Sequence, residues 1–345
     1  MGRIGGGGVT GIQWTDEVWN PTTGCDRVSA GCDNCYALTM AKRLKGMGQA
    51  KYQRDGDPRT SGPGFGLTVH PDALTLPLRW RKPRRIFVNS MSDLFHESVP
   101  DEFLHRVFAV MAMASQHTFI VLTKRHARMR SFLQDDCRCG TGHVPGIHLR
   151  SAMDWAGTSH SPTYVPGVIG HDVYHEREWP LPNVWLGVSA EDQKWADIRI
   201  PALLATPAAV RFVSAEPLLG PIDLHGPADE HGHRPKLNYW LPPGRPYFPP
   251  GEPGSLLSGP IATAPALDWL IAGGESGPGA RPCEMDWLRL LRDQCDGAAV
   301  PFFCKQLGST LGREFGAGPK GGDWDAWPDD LRVRQFPRAA AEVPA

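Results

Sequence analysis

Three cysteines near the N-terminus carry the strongest chemical signal. Cys25, Cys32 and Cys35 lie in WNPTTGCDRVSAGCDNCYA with the spacing C-x6-C-x2-C. Three thiolates this close together suit a metal. A structural zinc takes four ligands, and no fourth Cys or His adjoins the run. An iron–sulfur cluster on three Cys leaves one iron without a protein ligand, open to a substrate or cofactor. A second group, Cys137, Cys139, His143 and His148 in DDCRCGTGHVPGIH, has the residue types for zinc. Its Cys-x-Cys pair is tighter than the common Cys-x2-Cys, and a His-rich loop with ordinary thiols fits it equally. Cys283, Cys295 and Cys304 are scattered and read as buried small hydrophobes.

Further chemistry collects where β-prone runs end. One run is followed by Asn89, Ser90, Ser92 and Asp93, the next by Thr123, Lys124 and Arg125. Later runs give Ser189 and Glu191, then Ser214 and Glu216, then Gly273, Gly274 and Glu275, then Lys305 and Gln306. A single polar ending would merely cap the following helix. A series of them on one rim favours a binding site. Two basic runs stand out, RWRKPRR at 79–85 and KRHARMR at 124–130. The first precedes a strand and reads as a solvated face. The second follows a strand, where a phosphate-bearing small molecule, nucleotide or nucleic acid would fit.

The elements that must position these residues alternate. Continuous apolar runs suited to parallel strands buried on both faces are Ile86–Asn89, Phe119–Leu122, Val184–Val188, Val210–Val213, Leu267–Ala272 and Pro301–Cys304. Ile12–Trp14 and Gly66–Val69 are weaker candidates. Ser98 reads as an N-cap, with Pro100, Asp101 and Glu102 in the first turn and Phe103, Val107, Met111 and Ala114 at helical spacing. Glu284–Cys295 and Ala37–Met47 also read as helices. The alternation predicts an α/β fold. Counting both weak strands gives a (β/α)8 TIM-type barrel, full or partial; without them a doubly wound sheet stays open. Residues 135–183 and 225–265 read as loop insertions in a single barrel domain spanning 1–311. Residues 312–345 read as an extension, with a disordered tail beyond about Pro337.

The chain has 345 residues, 41% hydrophobic and 21% charged, which excludes wholesale disorder. Gly 39 and Pro 33 exceed ordinary usage and predict many loops. Lys+Arg 36 against Asp+Glu 37 gives a net charge of -1, so a global positive field does not hold this protein on DNA. No run approaches a bilayer span, so no membrane partner is expected and the chain reads as cytoplasmic.

The cysteine loop resembles that of the radical SAM enzymes, in which three cysteines after the first barrel strand hold a 4Fe-4S cluster. The usual spacing there is C-x3-C-x2-C; this chain has six residues in the first gap, and Asn34 in the usual aromatic position. Over nearly the whole chain, IQWTDEVWNPTTGC, RIFVNSMSDLFHE, FIVLTKR, NVWLGVSAEDQ, RFVSAEPLLGPI, WLIAGGESGPGARP and PFFCKQLG resemble the phage Gp37/Gp68 family. The resemblance implies a radical-SAM-like barrel in a phage or prophage setting. It implies a cluster fed by an electron donor, S-adenosylmethionine as cofactor, and a 5′-deoxyadenosyl radical acting on a small-molecule, nucleoside or nucleic-acid substrate. In that scheme Lys124, Glu216 and Glu275 would be catalytic. Asn89, Ser92, Asp93, Arg125, Ser189, Glu191, Ser214, Gly273, Gly274 and Lys305 would bind the cofactor. The rival expectations are a metal-dependent hydrolase or nuclease with a structural cluster, and a non-enzymatic zinc or iron–sulfur binding module.

Overall fold

The computed structural model describes residues 11–134, 147–156, 178–226, 240–242 and 265–337. The chain divides into two compact units, Met1–Ser189 with Thr206–Val210, and Ala190–Ala205 with Arg211–Pro344.

The first unit carries strands β1 (Glu17–Trp19), β2 (Thr22–Thr23), β3 (Thr68–Val69), β4 (Arg85–Val88), β5 (Thr118–Thr123) and β6 (Val184–Ser189). Its helices are α1 (Tyr36–Gly46), α2 (Asp101–Met113), α3 (His126–Gln134) and α4 (Ile147–Ala156). Strands β1, β4, β5 and β6 pair in that order, all parallel, with Glu17 opposite Ile86, Ile86 opposite Phe119 and Phe119 opposite Val184. Runs such as Ile86–Val88 and Phe119–Val121 are buried on both faces because helices cover a parallel sheet. Helix α2 starts at Asp101 behind Pro100, not Ser98, with Asp101 and Glu102 in its first turn. Phe103, Leu104, Val107, Phe108 and Met111 are buried along it, each worth about 1.5–3 kcal/mol of apolar transfer. At the amino end of β4, Arg84 pairs with Glu17 and Arg85 clasps Asp16, so the basic run 79–85 braces the strand.

The second unit carries α5 (Gln193–Leu204), β7 (Val210–Ala215), β8 (Trp269–Gly273), α6 (Met285–Gly297), β9 (Phe302–Gln306) and α7 (Gly308–Glu314). Strands β7, β8 and β9 are parallel, with Phe212 opposite Trp269 and Leu270 opposite Phe302. The chain then returns antiparallel beside β9, with Cys304 N donating to Val333 O (2.8 Å) and Gln335 N to Phe302 O (2.9 Å).

The α/β class with parallel strands stands. The count of eight strands does not: seven are parallel among the described residues. Ile12–Trp14 forms no strand, and only Thr68–Val69 of Gly66–Val69 is extended, paired antiparallel with β2 in a separate two-stranded sheet. β1 was not expected, because three residues beginning with a glutamate carry no run of hydrophobics. Within 135–183 lies α4, which packs on α2 and buries Leu149 and Met153 at i, i+4 spacing. The tail beyond Pro337 lies outside the described residues. No described helix is long and apolar enough to cross a membrane.

Candidate functional site

In the first unit the carboxyl ends of β1, β4 and β5 converge through side chains. Asn89 ends β4 with a left-handed backbone (φ 65), a conformation Asn tolerates better than most residues. Its Nδ2 donates to Thr22 Oγ1 at 3.0 Å, and Thr22 Oγ1 in turn meets Ser92 Oγ at 2.7 Å. Its Oδ1 is buried without a hydrogen-bond partner. Asp93 is 6% exposed and spans two strand ends. Its Oδ1 accepts from Thr123 Oγ1 (2.7 Å) and Phe95 N (3.0 Å), its Oδ2 from Lys124 N (3.0 Å). Arg125 N donates to Thr123 Oγ1 at 2.8 Å, and Arg125 Nε is a second buried atom without a partner. Ser189 closes β6 and is buried.

The cysteine loop lies along this edge. Gly24 bridges to Ser92 and donates its N–H to Met91 O at 3.0 Å, which sets Cys25 beside Asp93 and Arg125. Burial pushes the Cys25 thiol up to about 12; the Asp93 charge adds to the rise and the Arg125 cation opposes it. Burial also raises Cys35, against the N–H of Ala37, the Lys124 cation and the N–H of Leu38. Next along the chain, Asp26 accepts from Thr60 Oγ1 (2.5 Å), Ser61 Oγ (2.9 Å) and His96 Nε2 (2.9 Å). Partial burial works against the charged form, yet these donors together hold the Asp26 carboxyl below its ordinary value. Ser98 N donates to His96 Nδ1 at 3.2 Å, which leaves the ring proton on Nε2, facing Asp26. Tyr36 opens α1 and donates its hydroxyl to Ser90 O. Arg128 donates to His96 O (2.7 Å), Val99 O (2.5 Å) and Asp101 (2.7 Å), so this cation of the 124–130 run closes a loop.

The second unit treats its strand-end residues differently. Glu191 is fully buried against Arg199, with Nη1 to Oε2 at 2.9 Å. Glu216 accepts from Ser214 Oγ (3.1 Å) and pairs with Lys305 Nζ (3.0 Å). A Cβ on Gly273 would stand 2.9 Å from Glu216 Oε1, and one on Gly274 would stand 2.3 Å from Leu307 O. At both positions a side chain would meet protein atoms, so glycine is required by the local packing. Glu275 is 6% exposed and clasped by Arg281, with Nε to Oε2 at 2.9 Å and Nη2 to Oε1 at 2.6 Å. Arg281 N adds a third bond at 2.9 Å, so Glu275 folds its own loop back.

Residues 9–328 match the family model described as "Protein of unknown function (DUF5131)". The chain belongs to the DUF5131 family. No curated protein and no solved structure matches it.

For this DUF5131 chain the metal expectations need correction. Among the described residues no group of three or more His, Cys, Asp or Glu is placed to hold a metal ion. Cys25, Cys32 and Cys35 are free thiols. Cys25 and Cys35 pack as half-buried apolar groups against Ala37, Ala41, Phe65 and Met91. The 4Fe-4S cluster on these residues is therefore overturned, and so is the radical SAM enzyme with its S-adenosylmethionine and 5′-deoxyadenosyl radical. The same finding removes the metal-dependent hydrolase or nuclease and the zinc or iron–sulfur module as read from these residues. Of the expected zinc group, Cys137, Cys139 and His143 lie outside the described residues, and His148 is an exposed position on α4. Cys283, Cys295 and Cys304 are buried as expected.

The structure thus brings Cys25, Cys32, Cys35, Asn89, Ser92, Asp93, Lys124 and Arg125 to one edge of the first unit. It places Glu191, Ser214, Glu216, Gly273, Gly274, Glu275 and Lys305 in the second. Sequence reasoning missed Thr22, Asp26, His96 and Arg281. Asp26 offered a faint signal as a charge inside the cysteine loop; the others act through contacts between residues distant in the chain.

Proposed function

We propose that this protein binds a phosphate-bearing small molecule of nucleotide class at the carboxyl edge of β1, β4 and β5. Ligands of parallel α/β sheets sit outside the carboxyl ends of the strands. The observation that carries the reading is the pair of orphaned buried atoms there, the acceptor Asn89 Oδ1 and the cationic donor Arg125 Nε. A buried polar atom left unpaired costs about 1–3 kcal/mol, which a ligand offering both an N–H donor and an anionic oxygen would recover. A nucleotide offers both, in its base and its phosphate. Lys124, half-buried on the same strand end, adds a second cation for the phosphate. A small ligand is favoured over a nucleic-acid strand because Arg128 is committed to carbonyls and the chain has no net positive charge.

Calorimetric titration with AMP, ATP, adenosine and inorganic phosphate tests this. Saturable binding of a nucleotide is expected, weakened at least roughly tenfold in Lys124→Gln/Arg125→Gln as charge-assisted bonds are lost. Binding untouched by that double variant, or no saturable binding by any of the four, overturns the reading.

A further inference from the structure

We infer that Cys32 and Cys35 form a reversible disulfide, making the start of α1 a thiol–disulfide exchange site. The inference is independent of the ligand reading above. The two thiols have C-x2-C spacing, and Cys35 N donates to Cys32 O at 3.2 Å, closing a tight turn through Asp33 and Asn34. Such a turn holds its end Cα atoms within about 7 Å. A disulfide needs about 4.4–6.8 Å between Cα atoms, so the bond requires little backbone movement. Both thiols are free and partly exposed, and the charge on one is felt by the other. Cys35 is the residue on which α1 starts, so the cross-link falls at a helix boundary and leaves the helix interior undisturbed.

The oxidant is a low-molecular-weight disulfide. The Cys32 thiolate attacks one of its sulfurs, forming a mixed disulfide and releasing one thiolate. The Cys35 thiolate then displaces the second. The two cysteine sulfurs are oxidised, the reagent is reduced to two thiols, and the two cysteine protons end on those thiols. Cys25 also lies within electrostatic reach of Cys32 but on a separate loop, and no turn sets its backbone distance.

Equilibrating the full chain in buffers of rising oxidised-to-reduced glutathione ratio, then alkylating under denaturing conditions and digesting with trypsin, tests the assignment. Cleavage after Arg27 and Lys42 puts Cys32 and Cys35 in one peptide and Cys25 in another. The expected result is progressive loss of the doubly alkylated Val28–Lys42 peptide and its replacement by an unalkylated form, two hydrogens lighter than the reduced dithiol peptide. Cys25→Ser should leave this unchanged, and Cys35→Ser should stop at a glutathione adduct on Cys32. A Val28–Lys42 peptide that stays doubly alkylated at every ratio overturns the inference. So does a peptide cross-linked to the one carrying Cys25, or a covalent dimer. The unsubstituted chain alone decides between these outcomes, whatever the variants' stability.

Discussion

Arg199 and Glu191 form an ion pair with neither side chain exposed to water, and the Arg199 guanidinium lies 4.0 Å from the centre of the Trp195 ring. Two charges moved from water into a protein interior are tolerable together and costly apart. Arg199→Leu removes the buried cation from the Glu191 carboxylate and should cost about 3–5 kcal/mol of stability, read from the urea midpoint. The double replacement Arg199→Leu/Glu191→Leu should recover much of that loss. Equal costs for the single and double variants would show that packing, not charge, holds this spot. Glu191 had been legible as a polar residue just past a strand. Its partner was not, because Arg199 meets it across the first two turns of α5 in a place the sequence gives no reason to think dry.

At the scale of elements, close backbone approaches decide which glycines are irreplaceable. Gly24 has φ +91, and a Cβ there would lie 2.5 Å from Gly66 C and O. Gly48 has φ +74 with nothing within 4 Å. Gly48→Ala should cost only the left-handed conformation, about 1–2 kcal/mol. Gly24→Ala should cost clearly more, since the rigid backbone at Gly66 must give way; matching urea midpoints for the two variants would contradict this. Strands β4 to β9 were legible because each is a short run of apolar residues buried on both faces. β1 was not, because its pattern is too short to show a period. α4 was missed among Gly, Pro and His neighbours, though Leu149 and Met153 carry the helical spacing. The site was legible in part: Asn89, Asp93, Lys124 and Arg125 follow strands and were found by position. The orphaned atoms depend on where β1 and the cysteine loop land, which no local pattern encodes.

Over the whole molecule, acid should weaken the fold in two stages. Burial lowers the pKa of His70 and His117, so these rings stay neutral when folded. Their contribution is fully present above the unfolded value of about 6.5 and is lost as pH falls from there through the folded values. Asp16 and Asp26 are held below their ordinary values by Arg85 and by the Thr60, His96 and Ser61 donors, in each case against burial. Asp330 is lowered by Arg289 and Arg292. Their stabilisation is full above an unfolded pKa of about 3.9 and disappears as pH drops through the folded values. Asp268 runs the other way, raised by burial, and offsets part of the second stage. Thermal melting should therefore show a first decline below pH ~6.5 and a steeper one below pH ~4. A melting temperature flat from neutral pH to below 4 would contradict this assignment.

The segment returning beside β9 has one more consequence. A strand at the margin of a sheet offers a row of vacant N–H and C=O groups to any passing extended chain. Here Val333 and Gln335 occupy those groups at Cys304 and Phe302. Arg334 presses its guanidinium over the Trp324 ring at 4.3 Å and fastens the strip in place. Recruitment of foreign chain along β9 would have to begin by peeling this strip away, so the last residues before Pro337 serve the second unit as its guard against self-association.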